Sequence, residues 1–225
     1  MMIYVLLAQR REEPLEYDRI NAIADAVIQG GANSILAARG AIDEQFAVTA
    51  ERLLARPGKI LVTGSGTSGA IASRGAHLLS VCGAPAFHLS PSEGIHGGLG
   101  VLRAEDSVLA LSKGGKSEEL NDFCRRARTL CGHLVVITAD ANSPFAQLAD
   151  DVIHLPLAPD GDLGGVVATG SSLAMGAILD ALAEIGRVRS GYSWKELLYT
   201  HPAGVVGHQA DESLARLAPD GKATP

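Results

Sequence analysis

Aromatic residues make up only 4% of this 225-residue sequence. Any core must therefore be aliphatic, built from Leu, Val, Ile and Ala. Three cysteines are present, Cys82, Cys124 and Cys131. An odd number without motif spacing excludes a disulfide framework and a Cys-based zinc site. They are expected to be reduced thiols of a cytoplasmic protein. The formal net charge is -6 and no Lys/Arg cluster stands out, which excludes the phosphate backbone of nucleic acid as a partner. No stretch reaches the roughly 18 to 20 apolar residues that a membrane helix needs, so no membrane association is expected. The apolar start, Met1 to Ala8, is short and precedes Arg10 and Arg11, whereas a signal peptide carries its charges first. The seven histidines show no ligand spacing, and no metal is expected.

What is there supports a packed domain. Hydrophobic residues are 47% and charged residues 20%, enough to build a sizeable core. Ile20, Ile23, Ala24, Val27 and Ile28 recur at helical spacing and predict an amphipathic helix over about 16 to 38. A second helix is predicted from Ile42 to Leu54. After Pro57-Gly58 the pattern changes to short apolar runs at 60–62, 85–89, 108–111, 134–137 and 152–155. They are rich in β-branched residues or Leu and do not alternate, as in parallel strands buried on both faces. Helical segments are predicted at about 68–82, 117–130, 143–149 and 169–187. The expected fold is α/β, a five-stranded parallel doubly wound sheet of flavodoxin-like type with an N-terminal helix pair. One domain is expected over 1–225: a helical lead at about 14–56, the α/β part at about 57–210 and a frayed tail at about 218–225.

Ligands of such sheets bind outside the carboxyl ends of the strands. The segment after the first strand is Thr63-Gly64-Ser65-Gly66-Thr67-Ser68-Gly69. Its glycines allow a tight turn, and the following helix offers free N–H groups to an anion. It also contains GxGxxG, a dinucleotide signature, but no acidic residue ends a second strand about 20 positions on. That strand ends in His88-Leu89-Ser90, and Glu93 is out of place. Glu93 and His96 lie in a Gly-rich loop and are candidates to line the pocket. His88 and His154 are expected to be core histidines satisfied by backbone groups. After the third strand, Ser112-Lys113-Gly114-Gly115-Lys116-Ser117 suits a phosphate monoester at a helix N-terminus. Ser117 serves equally as an ordinary N-cap. Thr169, Ser171 and Ser172 open the last helix, where capping accounts for one hydroxyl but not three.

Together these segments resemble the sugar isomerase (SIS) family, and within it the D-arabinose 5-phosphate isomerases. The likeness rests on GSGTSG (64–69), SPSEGIHGGLG (90–100), SKGGKSEEL (112–120), ATGSS (168–172) and THPAG (200–204). It implies a cofactor-free aldose–ketose isomerase acting on a small phosphorylated sugar through an enediol. The family often carries CBS repeats after the SIS domain, and this chain reads as a version without them. Family members assemble as dimers or tetramers in which a neighbour lends residues to each site, so a homodimer or homotetramer is expected. Two of the family's four catalytic positions are kept, as Glu119 and His201. A third, a Glu, becomes Asp160, and the fourth, a Lys, is replaced by Thr67. An Asp of the family becomes Gly98, and its Ser-Asn-Ser-Gly-Glu-Ser loop becomes residues 112–117. The resemblance makes Glu119 the candidate base and His201 the candidate for ring opening or for proton transfer to oxygen, since imidazole titrates near neutrality. Asp160 would orient a sugar hydroxyl or share the base role. Gly64, Ser65, Thr67, Ser68, Glu93, His96, Ser112, Lys113, Ser117, Thr169, Ser171 and Ser172 are the expected substrate contacts. Lys113 is either a solubilising surface charge or a cation brought into the site. Two other functions fit the same motifs: a non-catalytic sugar-phosphate sensor, and a lyase acting on a phosphorylated amino sugar.

Overall fold

The computed structural model describes residues 14–203. The expected tail after Ala218, and Gly204 of the THPAG segment, lie outside them. Two helices lead, α1 (Tyr17–Ala38) and α2 (Glu44–Leu54). Next come β1 (Ile60–Gly64), α3 (Thr67–Val81), β2 (Ala86–His88), α4 (Pro91–Ile95) and β3 (Ser107–Leu111). The chain continues through α5 (Glu118–Ala127), β4 (His133–Thr138), α6 (Pro144–Leu148) and β5 (Asp151–His154). It closes with α7 (Gly170–Ser190) and the short α8 (Trp194–Tyr199).

The five strands form one parallel sheet in the order β2-β1-β3-β4-β5. The three central strands, β1, β3 and β4, are buried along their whole length, which is why their sequences do not alternate. Period two decides which core each side chain enters. Val62, Leu109, Leu111, Val135, Ile137 and Ile153 meet α2, α3 and α7 on one face. Leu61, Val108, Ala110, Leu134 and Val136 meet Leu120, Phe123, Ala127 and Phe145 of α5 and α6 on the other.

Three local expectations need correction. Residues 91–95, read as part of a Gly-rich loop, form α4: Ser90 and Glu93 make a reciprocal capping box and Pro91 occupies the first turn. His154 is exposed at the end of an edge strand, and His88 keeps its buried Nε2 without a partner, so neither is a histidine satisfied by backbone. Burial lowers the His88 pKa, against the pull of Glu93. On α1, the periodic residues Ile20, Ile23, Val27 and Ile28 stay exposed; the buried positions are Gly30, Gly31, Ser34 and Ala38. Here helix meets loop at close range. A Cβ on Gly30 would stand 2.6 Å from the Asp160 carbonyl oxygen, and one on Gly31 would stand 2.9 Å from Leu173 Cδ1. Small residues, not the large apolar ones, are what this contact requires.

Buried carboxylates fasten the amino edge of the sheet. Asp151 accepts from Arg52 (3.2 Å) and Gln45 (3.2 Å) of α2 and pairs with His133 Nε2 (2.8 Å), tying that helix to β4 and β5. Asp106, just before β3, accepts from the Lys59 N–H (2.9 Å), the Lys59 ammonium and the Arg103 N–H (2.7 Å). Burial alone would raise the Asp106 pKa. The Lys59 and Arg103 donors outweigh it and hold the carboxyl below its ordinary value. Replacing Asp106 by Ala leaves those donors without their acceptor and should cost about 2 kcal/mol in urea unfolding at pH 7. The sign with pH follows from the depressed pKa. The contribution is full above the unfolded carboxylate value and disappears as pH falls through the lower folded value. The gap between wild type and Asp106→Ala should therefore narrow on acidification, and a constant gap would show that the ion pair is not its source.

A candidate anion site at the carboxyl ends of β1 and β3

β1 ends at Gly64, whose register partner is Leu111 at the end of β3. Ser65 and Ser112 therefore leave the sheet side by side. The β1 turn is tight. Gly66 has φ +58°, and a Cβ on Gly69 would stand 2.7 Å from the Gly64 carbonyl oxygen. No side chain caps α3; the Gly69 N–H donates to the Ser65 and Gly66 carbonyls, whereas those of Thr67 and Ser68 have no acceptor among the described residues. Thr67 and Ser68 thus stand at the opening of a fifteen-residue helix directed at this turn. Among the described residues the Ser68 hydroxyl has only a long contact to Met175 Sδ, 4.0 Å.

The β3 loop is braced from within. The Ser112 hydroxyl accepts from the Gly115 N–H (3.1 Å), and Asn121 donates to the Gly115 carbonyl (3.2 Å). Gly115 needs to be glycine twice over. Its φ is +63°, and a Cβ would stand 2.2 Å from Ser143 Oγ. Ser117 caps α5 by accepting from the Leu120 N–H (3.5 Å), and its hydroxyl lies 3.5 Å from that of Ser65. Two helix N-termini and two hydroxyls thus converge between β1 and β3. A small anion finds donors and two positive helix ends there. Glu119 sits exposed in the first turn of α5, two residues past Ser117.

The hydroxyls opening α7 have partners within their own segment. Thr169 Oγ1 donates to the Gly161 carbonyl (3.2 Å) and accepts from the Leu163 N–H (3.2 Å). Ser172 donates to the Ala168 carbonyl. The Ser171 N–H and hydroxyl both meet the Asp162 carboxylate, at 2.8 and 2.9 Å. All three hydroxyls are committed within the 161–172 segment, so capping alone did not exhaust the alternatives to ligand binding. The side chain that holds Ser171, Asp162, was not singled out by sequence reasoning. Its only signal was an acid between glycines, Gly161-Asp162-Leu163-Gly164.

The remaining candidates are spread around this centre. Asp160 is exposed and accepts from Asn33 of α1 at 2.9 Å. Glu93 holds its own helix cap, and the Ser90 hydroxyl and N–H keep its carboxyl below the ordinary range. His96 Nδ1 is 2.8 Å from the Ser92 carbonyl oxygen. His201 follows α8, with Nδ1 2.9 Å from the Leu197 carbonyl oxygen. The segment leading into α8 is fastened at the opposite end of the sheet. A Cβ on Gly83, just after α3, would stand 2.5 Å from the Tyr192 ring. Among the described residues no three His, Cys, Asp or Glu side chains gather as a metal site.

A SIS domain model matches residues 53–185, which takes in the whole sheet and both converging loops. The chain belongs to the SIS family. Arabinose 5-phosphate isomerase KdsD of Escherichia coli K12 is 30% identical over 168 residues, 75% of this chain and 51% of that protein. This SIS chain therefore spans about half the length of such a curated relative. A solved Listeria monocytogenes protein, proposed to be a sugar-phosphate isomerase, superposes with a TM-score of 0.79 at 29% identity, covering 84% of this chain and all of its own. An Escherichia coli CFT073 protein, solved as a ligand complex, shares the fold, with a TM-score of 0.76 at 23% identity over 84% of this chain and all of that one.

Gly115→Ala combines a left-handed backbone with an overlap at Ser143. It should cost about 1 to 3 kcal/mol, the scale of one strained residue, in chemical denaturation. Wild-type stability for this variant would mean that the β3 loop is not held in the described conformation.

Proposed function

We propose that this SIS domain binds a small phosphorylated sugar and interconverts its aldose and ketose forms. The observation that carries the reading is the meeting of Ser65 and Ser117 at the N-termini of α3 and α5, with Glu119 two residues along the same helix. The phosphate would sit between those hydroxyls and helix ends, leaving the carbon chain within reach of a carboxylate. Glu119 then removes the proton from C2 of the aldose and returns it to C1, while the O2 hydroxyl proton ends on O1. The net change is an isomerisation that consumes no oxidant or reductant. Asp160, at the rim, would orient a sugar hydroxyl.

His201 is assigned to ring opening and to proton transfer between oxygens. The segment leading into its helix packs against the turn after α3, at the opposite end of the sheet, which favours an assembly of two or four copies in which a neighbour's His201 completes each site. A sensor without turnover is the second reading, favoured by Thr67, an uncharged residue in the first glycine turn.

Thermal stabilisation should appear with pentose 5-phosphates and vanish with the unphosphorylated pentoses. Equal stabilisation by both would remove the phosphate seat. Solvent-deuterium incorporation across phosphorylated tetroses, pentoses, hexoses and heptoses then separates enzyme from sensor. Glu119→Gln and His201→Ala should each lower turnover by roughly 10² to 10⁴, with a much smaller change in affinity. Near-normal turnover in either variant would remove that residue from the mechanism. Phosphate-dependent stabilisation with no exchange on any sugar would establish the sensor.

A further inference from the structure

Lys113 is held at both ends. It follows Ser112 directly out of β3, and its carbonyl accepts from Thr138 Oγ1 (3.2 Å) and the Ala139 N–H (3.0 Å), which pins its backbone to the end of β4. Its ammonium donates to Asp162 Oδ2 at 2.6 Å. Asp162 is itself fixed, accepting from the Ser171 N–H and hydroxyl with its side chain only 8% exposed. Burial would raise the Asp162 pKa, but the Lys113 and Ser171 donors prevail and hold it below the ordinary value, so the carboxylate is charged at neutral pH.

An ammonium has three N–H donors. Asp162 takes one, no other described residue takes a second, and the Lys113 side chain remains 31% exposed. Ion pairs of this kind contribute little net stability after desolvation. A preoriented cation with two open donors, at the carboxyl edge where parallel sheets bind ligands, is suited to contact one. Its position within the loop indicates which part. Ser117 ends the loop on the β1 side, beside Ser65, whereas Lys113 starts it on the β4 side, reaching toward α7. The Ser65–Ser117 pair and the cation therefore stand at opposite ends of the β3 loop.

We propose that Lys113, positioned by Asp162, donates to the carbonyl oxygen of the bound sugar phosphate and stabilises the negative charge that develops there. The inference rests on the isomerase reading. When Glu119 takes the C2 proton, the C–H electron pair forms the C1–C2 double bond and the carbonyl pair moves onto O1. The open N–H groups of Lys113 face that oxygen. The O2 proton then passes to O1, and the O–H pair left on O2 forms the C2 carbonyl. The C1–C2 double-bond pair takes the proton back at C1, leaving the ammonium unchanged. Asp162 acts as a positioning residue, since it touches Lys113 and not the ligand.

The test uses two probes: inorganic phosphate, and 4-phospho-D-erythronohydroxamic acid, a stable mimic of a five-carbon enediolate. Calorimetric titration of wild type should show tighter binding of the hydroxamate. Lys113→Met should weaken hydroxamate binding by about 10² while changing phosphate binding less than about twofold, the scale for losing one oxyanion donor. Asp162→Asn, which keeps the ammonium but releases it, should give an intermediate loss that Asp162→Glu partly restores. Thermal melts verify folding, and Lys113→Gln replaces the Met variant if that one is unstable. Unchanged hydroxamate binding in the Lys113 variant overturns the proposal. So does a parallel loss of phosphate binding, or a wild type that does not distinguish the probes. The isomerase reading fails separately, if wild type incorporates no solvent deuterium into any sugar phosphate while the selective hydroxamate loss persists.

Discussion

The pairing of β1 with β3 is the contact on which the candidate site depends. Gly64 lies opposite Leu111 in that ladder, so the residues that follow emerge together although 47 positions separate them, 112 less 65. The sheet order places β2 on one side of β1 and β3 on the other, so successive connections leave in opposite directions at this point. A crevice between diverging connections is where open parallel sheets bind ligands. Everything offered to an anion here, the two hydroxyls and the two helix ends, comes from the segments flanking that crevice. Register matters because a slip of one residue would exchange the two faces of a strand.

Carboxylates then fix the frame at both ends of the sheet. Asp106 and Asp151 tie the amino edge, where α2 and the turn before β3 must be held against the strands. Asp162 performs the corresponding task at the carboxyl edge, joining the β3 loop to the start of α7. Burying a carboxylate is costly unless donors surround it, and each of these three is surrounded by them. Asp162 takes the Ser171 N–H and hydroxyl, so part of the α7 N-terminus already has an internal acceptor.

Much of this was legible from residue patterns, because the signals were local. The strands announced themselves as short apolar runs, since the three central ones are buried on both faces. The turn after β1 was legible because only glycine tolerates its backbone. Other features were missed where the deciding contact is distant in sequence or the element is short. α4 has five residues and so no visible period, although Ser90-Pro91-Ser92-Glu93 carries a capping box. The exposed isoleucines of α1 obeyed helical spacing, yet the glycines at 30 and 31 make the contact with the body of the domain. Asp162 resembled a loop residue until its partners, 49 residues upstream and nine downstream, were in place.

By itself the sequence determined the parallel α/β architecture, the aliphatic core and the loops that carry the polar groups. These follow from burial and backbone freedom, both of which leave marks at the residue or its near neighbours. Only the tertiary structure decided which of those groups meet. Ser65 approaches Ser117 because two strands pair, and Lys113 finds Asp162 because α7 begins beside β3. The structure also tied the segment leading into α8 to the turn after α3. Side-chain partnerships across the sheet depend on how the layers stack, and no spacing along the chain encodes that.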